Sequence, residues 1–71
     1  MKLNVNGEQV EITSELSISE LLTEQKVKMP DMVTVELNGQ ILKRTEFEDI
    51  RLNEGDNVEF LYFMGGGNVI E

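Results

Sequence analysis

A chain of 71 residues without a cysteine has neither a disulfide nor a thiolate metal site to prop up a small core. Apolar periodicity has to do that work, because a domain of this length buries only about 60% of the surface its unfolded chain exposes. There is no room for a second core. With about a dozen apolar side chains buried at about 1.5–3 kcal/mol each, the gain must offset roughly 1–2 kcal/mol of backbone entropy per ordered residue. Economical turns and well-formed element ends therefore matter.

The periodicity is readable. Leu3 and Val5 alternate with Lys2 and Asn4, and Val10 and Ile12 alternate with Gln9 and Glu11. Between them stands Asn6-Gly7, a pair that tolerates positive φ at both positions and so suits the two-residue turn of a β-hairpin. Ser17 with Glu20 three residues later forms a capping-box pattern, and Leu16 and Leu21 stand where a hydrophobic staple needs them. Ile18, Leu21, Leu22 and Gln25 then share one helical face. The helix is expected to start at Ser17 and stop before Lys28-Met29-Pro30, where proline resists continuation.

Val33, Val35 and Leu37 mark a third strand that closes on a second Asn-Gly pair, Asn38-Gly39, after which Ile41 and Leu42 begin a short fourth. From Lys43 to Leu52 the pattern is mixed, with Phe47, Ile50 and Leu52 as anchors of an irregular or short helical crossing. Asn53-Glu54-Gly55-Asp56 is a turn cluster. It feeds Val58–Met64, the most β-prone stretch, which is expected to be a central strand. The order is β-β-α-β-β-β: an α+β domain over residues 1–64, with one main helix laid on a mixed sheet of four to five strands. Residues 65–71 read as a flexible tail.

Composition narrows the function. Histidine is absent, which removes the usual general base near neutral pH and the commonest imidazole ligand. Self-contained catalysis is not expected. Six Lys plus Arg against fourteen Asp plus Glu give a net charge of −8, which repels nucleic acid. No apolar run approaches the roughly 20 residues that span a bilayer, and no basic segment followed by an apolar one opens the chain. A cytoplasmic monomer is the expectation. The scattered acids serve solubility and can steer the chain towards a basic partner surface; Glu46-Phe47-Glu48-Asp49 lacks the oxygen spacing of a calcium loop. Leu61 and Phe63 fall out of phase with Val58, Phe60 and Tyr62, so one set faces the open side of the sheet. With Met64 they form a candidate docking patch.

After Met64 the sequence gives up side chains for Gly65-Gly66-Gly67 and resumes as Asn68-Val69-Ile70-Glu71. Consecutive glycines cost entropy when ordered, so they serve either as a plain spacer or as a tail that must enter a narrow channel. Glycine alone brings backbone without bulk to an enzyme that activates a carboxylate with ATP.

Together Leu3-Asn4-Val5-Asn6-Gly7-Glu8, the helix start Ser17–Leu22, Val33–Gly39, Leu52–Glu59 and Phe63-Met64-Gly65-Gly66-Gly67 resemble the sulfur-carrier proteins of the ThiS/MoaD type. These share the ubiquitin-like β-grasp fold, and the thiamine-biosynthesis branch is the nearer match. The resemblance implies a carrier that is not itself an enzyme and binds no cofactor. A ThiF/MoeB-type adenylating enzyme uses ATP and Mg to activate the terminal glycine carboxylate, here Gly67 preceded by Gly66 with Gly65 as hinge. A sulfur donor turns it into a thiocarboxylate for thiazole synthase or another acceptor.

One departure is that four residues follow Gly67. Some relatives carry short extensions that a zinc-dependent peptidase removes, so the expected cut lies between Gly67 and Asn68. Two rival readings stand beside the carrier. A ubiquitin-like modifier would join its glycine to lysines of target proteins. A non-reactive β-grasp interaction module would fold Val69 and Ile70 back on the sheet.

Overall fold

The computed structural model describes residues 1–64 and 68–70. Strands β1 (Lys2–Val5) and β2 (Glu8–Glu11) form an antiparallel hairpin with Leu3 opposite Val10. Asn6 and Gly7 make its turn at φ 51° and 83°, and Asn38 and Gly39 repeat the geometry at 50° and 85°. That second turn joins β3 (Thr34–Leu37) to β4 (Gln40–Ile41). Both turns have positive φ at both central residues, the backbone twist that hairpins favour.

The long strand β5 (Asn57–Met64) lies between β1, to which it is parallel, and β3, to which it is antiparallel. The sheet order is β2-β1-β5-β3-β4. A 3₁₀ turn at Arg44–Glu46 forms the crossing into β5, anchored by buried Phe47 and Leu52 and half-buried Ile50. Of the segment 65–71 expected as a flexible tail, residues 65–67 and 71 lie outside the described residues. Asn68–Ile70 form a further strand, β6, antiparallel to Tyr62–Met64.

Helix α1 (Ile18–Glu24) buries Ile18, Leu21 and Leu22 in one core with Leu3, Val5, Val35, Val58 and Phe60. Its start is the expected capping box. Ser17 N–H donates to the Glu20 carboxylate at 2.9 Å, and Glu20 N–H donates to Ser17 Oγ at 3.2 Å. The Ser17 backbone N–H first, and then the Ser17 side chain, hold the Glu20 carboxyl below its ordinary range, and Arg51 at 3.2 Å adds to the effect. A depressed pKa contributes stability that is present above the unfolded-state value and is lost as pH falls through the folded one. Glu20→Gln should therefore lower the melting temperature at neutral pH, and the gap from the parent should close as a pH series of melts descends through the glutamate range.

The helix ends earlier than proline requires. Gln25 is the C-cap, Lys26 takes the left-handed conformation at φ 54°, and two bonds close the end: Val27 N–H to Leu22 O at 3.0 Å and Lys26 N–H to Thr23 O at 3.1 Å. This is a Schellman motif with lysine where glycine is usual. Pro30 instead sits in the next loop, where Arg44 Nη1 donates to its carbonyl and Arg44 Nη2 donates to that of Val33, each at 2.9 Å. A non-glycine residue in the left-handed region costs roughly 1–2 kcal/mol, so Lys26→Gly should stabilise the domain by up to about 1 kcal/mol. That corresponds to a rise of about 4–8 °C in a calorimetric melt for a domain of this size.

Candidate functional site

Strand β5 is tied to its neighbours on both sides up to Leu61. On one side Asn4 and Asn6 donate their N–H groups to the carbonyls of Asp56 and Val58, both at 2.9 Å, and on the other Asn38 N–H donates to Asn57 O at 2.8 Å. The asparagines of the two hairpin turns then do a second job. Asn6 Oδ1 accepts from Phe60 N–H and Asn38 Oδ1 accepts from Asn57 N–H, each at 2.8 Å, while Asn38 Nδ2 donates to Asp56 Oδ1. Each turn is thereby tied to β5 by a side chain. Farther along, Tyr62 OH donates to Lys28 O at 2.9 Å, fixing the strand to the loop after α1.

The two faces of β5 divide as its alternation requires. Val58 and Phe60 are buried and Tyr62 half-buried, whereas Glu59 is exposed and Leu61 half-buried on the opposite face. Leu61 stands opposite Thr34. Phe63 and Met64, the other docking candidates, belong to β5, but their side chains lie outside what the structure describes. Gly65, Gly66 and Gly67 are likewise outside the described residues, and Asn68 is the first residue of β6.

Sequence reasoning did not single out three other apolar residues with large exposure: Met29 at 57%, Met32 at 63% and Ile41 at 62%. Ile41 stands opposite Glu36, itself opposite Glu59, so it shares the open face with Leu61. Its signal was available, since Met32 is out of phase with buried Val33 and Val35, and Ile41 lies two residues past an Asn-Gly turn. Glu36 and Glu59, directly opposed, make part of that face acidic as well as apolar.

The chain contains no histidine or cysteine, and among the described residues no group of three or more aspartates and glutamates is placed to hold a metal ion. No described helix is long and apolar enough to cross a membrane. What the arrangement does well is hold β5 up to Leu61 between β1 and β3, immediately before Tyr62–Met64 and the glycine run.

A mixed sheet with one helix on its inner face and a central strand, β5, that leads to the glycines is the architecture of the ubiquitin-like β-grasp fold. The ThiS family model matches residues 3–67. A crystal structure of the thiamine biosynthesis protein ThiS from Geobacter metallireducens superposes with a TM-score of 0.88 at 48% identity, covering 94% of this chain and all of that one. A solution structure of a thiamine biosynthesis protein from the same organism gives 0.76 at 46% identity, covering 100% of this chain and 94% of that one. A thiazole synthase of Paramagnetospirillum magneticum is 34% identical over 68 residues, which are 96% of this chain but only 21% of that protein. The chain thus spans about a fifth of that relative's length. It belongs to the ThiS family of sulfur carriers, which are small carriers rather than enzymes.

Proposed function

We propose that this carrier works from Gly67, once the residues after it have been removed, and serves thiamine (thiazole) formation or a related pathway. The observation that carries the reading is the end of the family match at Gly67, just beyond a strand tied down on both sides. In the proposed cycle a Gly67 carboxylate oxygen attacks the α-phosphate of ATP on a ThiF/MoeB-type enzyme and displaces pyrophosphate. A sulfur nucleophile from a donor then replaces AMP at the acyl carbon, leaving a thiocarboxylate. Transfer of that sulfur to an acceptor breaks the acyl C–S bond, and an oxygen from the acceptor or from water takes its place and returns the carboxylate. The thiazole synthase among the similar proteins supports an acceptor of that kind, and a zinc-dependent peptidase is the proposed agent of the cut between Gly67 and Asn68.

The test compares the encoded chain with one ending at Gly67, each incubated with the adenylating enzyme and ATP. Pyrophosphate release and a mass increase of one AMP are expected only for the chain ending at Gly67. Equal adenylation of both would refute the need for cutting, and adenylation of neither would refute the carrier mechanism.

Docking is proposed to use the open face around Leu61, which Ile41 shares across β3, together with Phe63 and Met64 farther along β5. Half-buried on the face away from the core, Leu61 can be changed at little cost to folding. Leu61→Ser should weaken binding to the adenylating enzyme by roughly tenfold, about the 1.4 kcal/mol that a lost apolar contact provides. The melting temperature should hold. Calorimetric titration checks it, and an unchanged affinity would move the interface elsewhere.

One observation favours a second reading. Because Asn68–Ile70 pair with β5, the chain can also be read as a non-reactive β-grasp module whose last residues complete the sheet. The chain ending at Gly67 would then take up no AMP from the adenylating enzyme and ATP, whereas a carrier's would.

A further inference from the structure

β5 outruns its neighbours. Its ladder with β1 involves Asn57 and Val58, and its ladder with β3 runs from Val58 to Leu61. Among the described residues, Tyr62–Met64 pair with β6 alone, Tyr62 opposite Ile70, Phe63 opposite Val69 and Met64 opposite Asn68. The residues that take this place suit it. Val69 and Ile70 are β-branched strand formers, unlike the small polar residues of a solvated spacer.

From this we infer that Asn68–Ile70 is a masking strand. Paired with Tyr62–Met64, it occupies a main-chain edge that an extended segment of the adenylating partner takes by strand addition, and the cut after Gly67 uncovers that edge. The inference rests on the carrier reading above and deepens it, since one cleavage then both creates the carboxylate and opens the docking strand.

The energetics favour such a switch. Three residue pairs make a weak ladder by themselves, because an isolated two-stranded ribbon is marginal in water. In the uncut chain the tether keeps β6 at a high effective concentration, so the weak ladder forms; after cleavage the four-residue product is diluted into solvent and leaves. The partner meets backbone N–H and C=O groups that pair as readily with its own strand. A mask that closes nine molecules in ten weakens the apparent affinity about tenfold, which is the fraction-competent rule for binding.

Masking and chemistry separate by mutation. Successive residues of a strand send their N–H groups to opposite sides, so either Val69 or Ile70 directs its N–H at β5, and proline there removes a ladder donor. Affinity for the adenylating enzyme, measured by calorimetry without ATP, is compared for the encoded chain, the chain ending at Gly67, and encoded chains with Val69→Pro or Ile70→Pro. The encoded chain should bind at least about tenfold more weakly than the one ending at Gly67. One proline variant or both should recover most of that difference while still carrying the extra residues. Amide exchange at Tyr62–Met64 should quicken in the same variants.

The mask is overturned if the encoded chain binds as tightly as the one ending at Gly67, or if both proline variants stay as weak as the encoded chain. Failure of the carrier reading shows differently, as no adenylate on the chain ending at Gly67 whatever its affinity.

Discussion

A chain ending at Gly67 and carrying Gly66→Val should melt with its parent yet be adenylated at least about 100-fold more slowly, the loss that misplacing a reacting group by about an ångström produces. The first half follows from the core. Among the described residues its buried members run from Leu3 to Phe60, ahead of the glycine run in the chain. The second follows from the proposed chemistry, in which Gly67 must reach the α-phosphate of ATP through a channel that admits bare backbone. Valine adds two branches at Cβ and restricts the backbone at the penultimate position. Gly66→Ala, with one methyl, should fall between the two. Pyrophosphate release gives kcat and KM separately, and the expected loss lies chiefly in kcat, because the proposed docking through the β5 face is untouched. A valine variant adenylated at the parent rate would show that the tail is not threaded, and the reason offered for glycine here would be gone.

The frame that presents this tail is legible in the sequence wherever one local preference settles the outcome. Asn6-Gly7 and Asn38-Gly39 are read as primed turns because both residues tolerate positive φ, and all four have it. Ser17 and Glu20 are read as a capping box because the spacing allows two reciprocal bonds, and both form. Val58–Met64 is read as the central strand from its β-branched and aromatic content, and β5 lies between β1 and β3.

What escapes a sequence reading depends on partners far along the chain. Pro30 looks like the helix stop, but Lys26 accepts a left-handed conformation first because the Schellman bonds of Lys26 and Val27 satisfy the last carbonyls. Turn chemistry explains why asparagine stands at positions 6 and 38, yet not that each side chain reaches β5 across 54 and 19 residues of sequence. Exposed Ile41 shares a face with Leu61 only through the register of β4 on β3 and β3 on β5. The candidate site is legible as composition, three glycines after a strong strand. That Tyr62–Met64, just before those glycines, stand opposite a short β-branched strand is a matter of pairing, which no single segment encodes.

Leu21→Ala should cost roughly 2–5 kcal/mol, the range for truncating a buried leucine whose surroundings relax only in part. Leu21 is fully buried, and it sits in α1, which covers the inner face of the sheet, together with Leu3, Val35, Val58 and Phe60. A domain of this length has a total stability of roughly 4–11 kcal/mol at 0.05–0.15 kcal/mol per residue, so the change removes a large fraction of it. Leu21→Met, which keeps the volume, should lose less than about 1.5 kcal/mol. Urea unfolding followed by circular dichroism measures both, and the alanine variant should shift the midpoint with little change in slope. Adenylation of the same variants, made as chains ending at Gly67, then tells presentation from chemistry. Folded Leu21→Ala molecules still carry an unaltered tail, so the rate per folded molecule should match the parent, and the observed rate should fall only with the folded fraction. A loss of rate beyond that fraction would mean that the helix touches the activating enzyme directly, and the division between a scaffold that presents and a partner that catalyses would have to be redrawn.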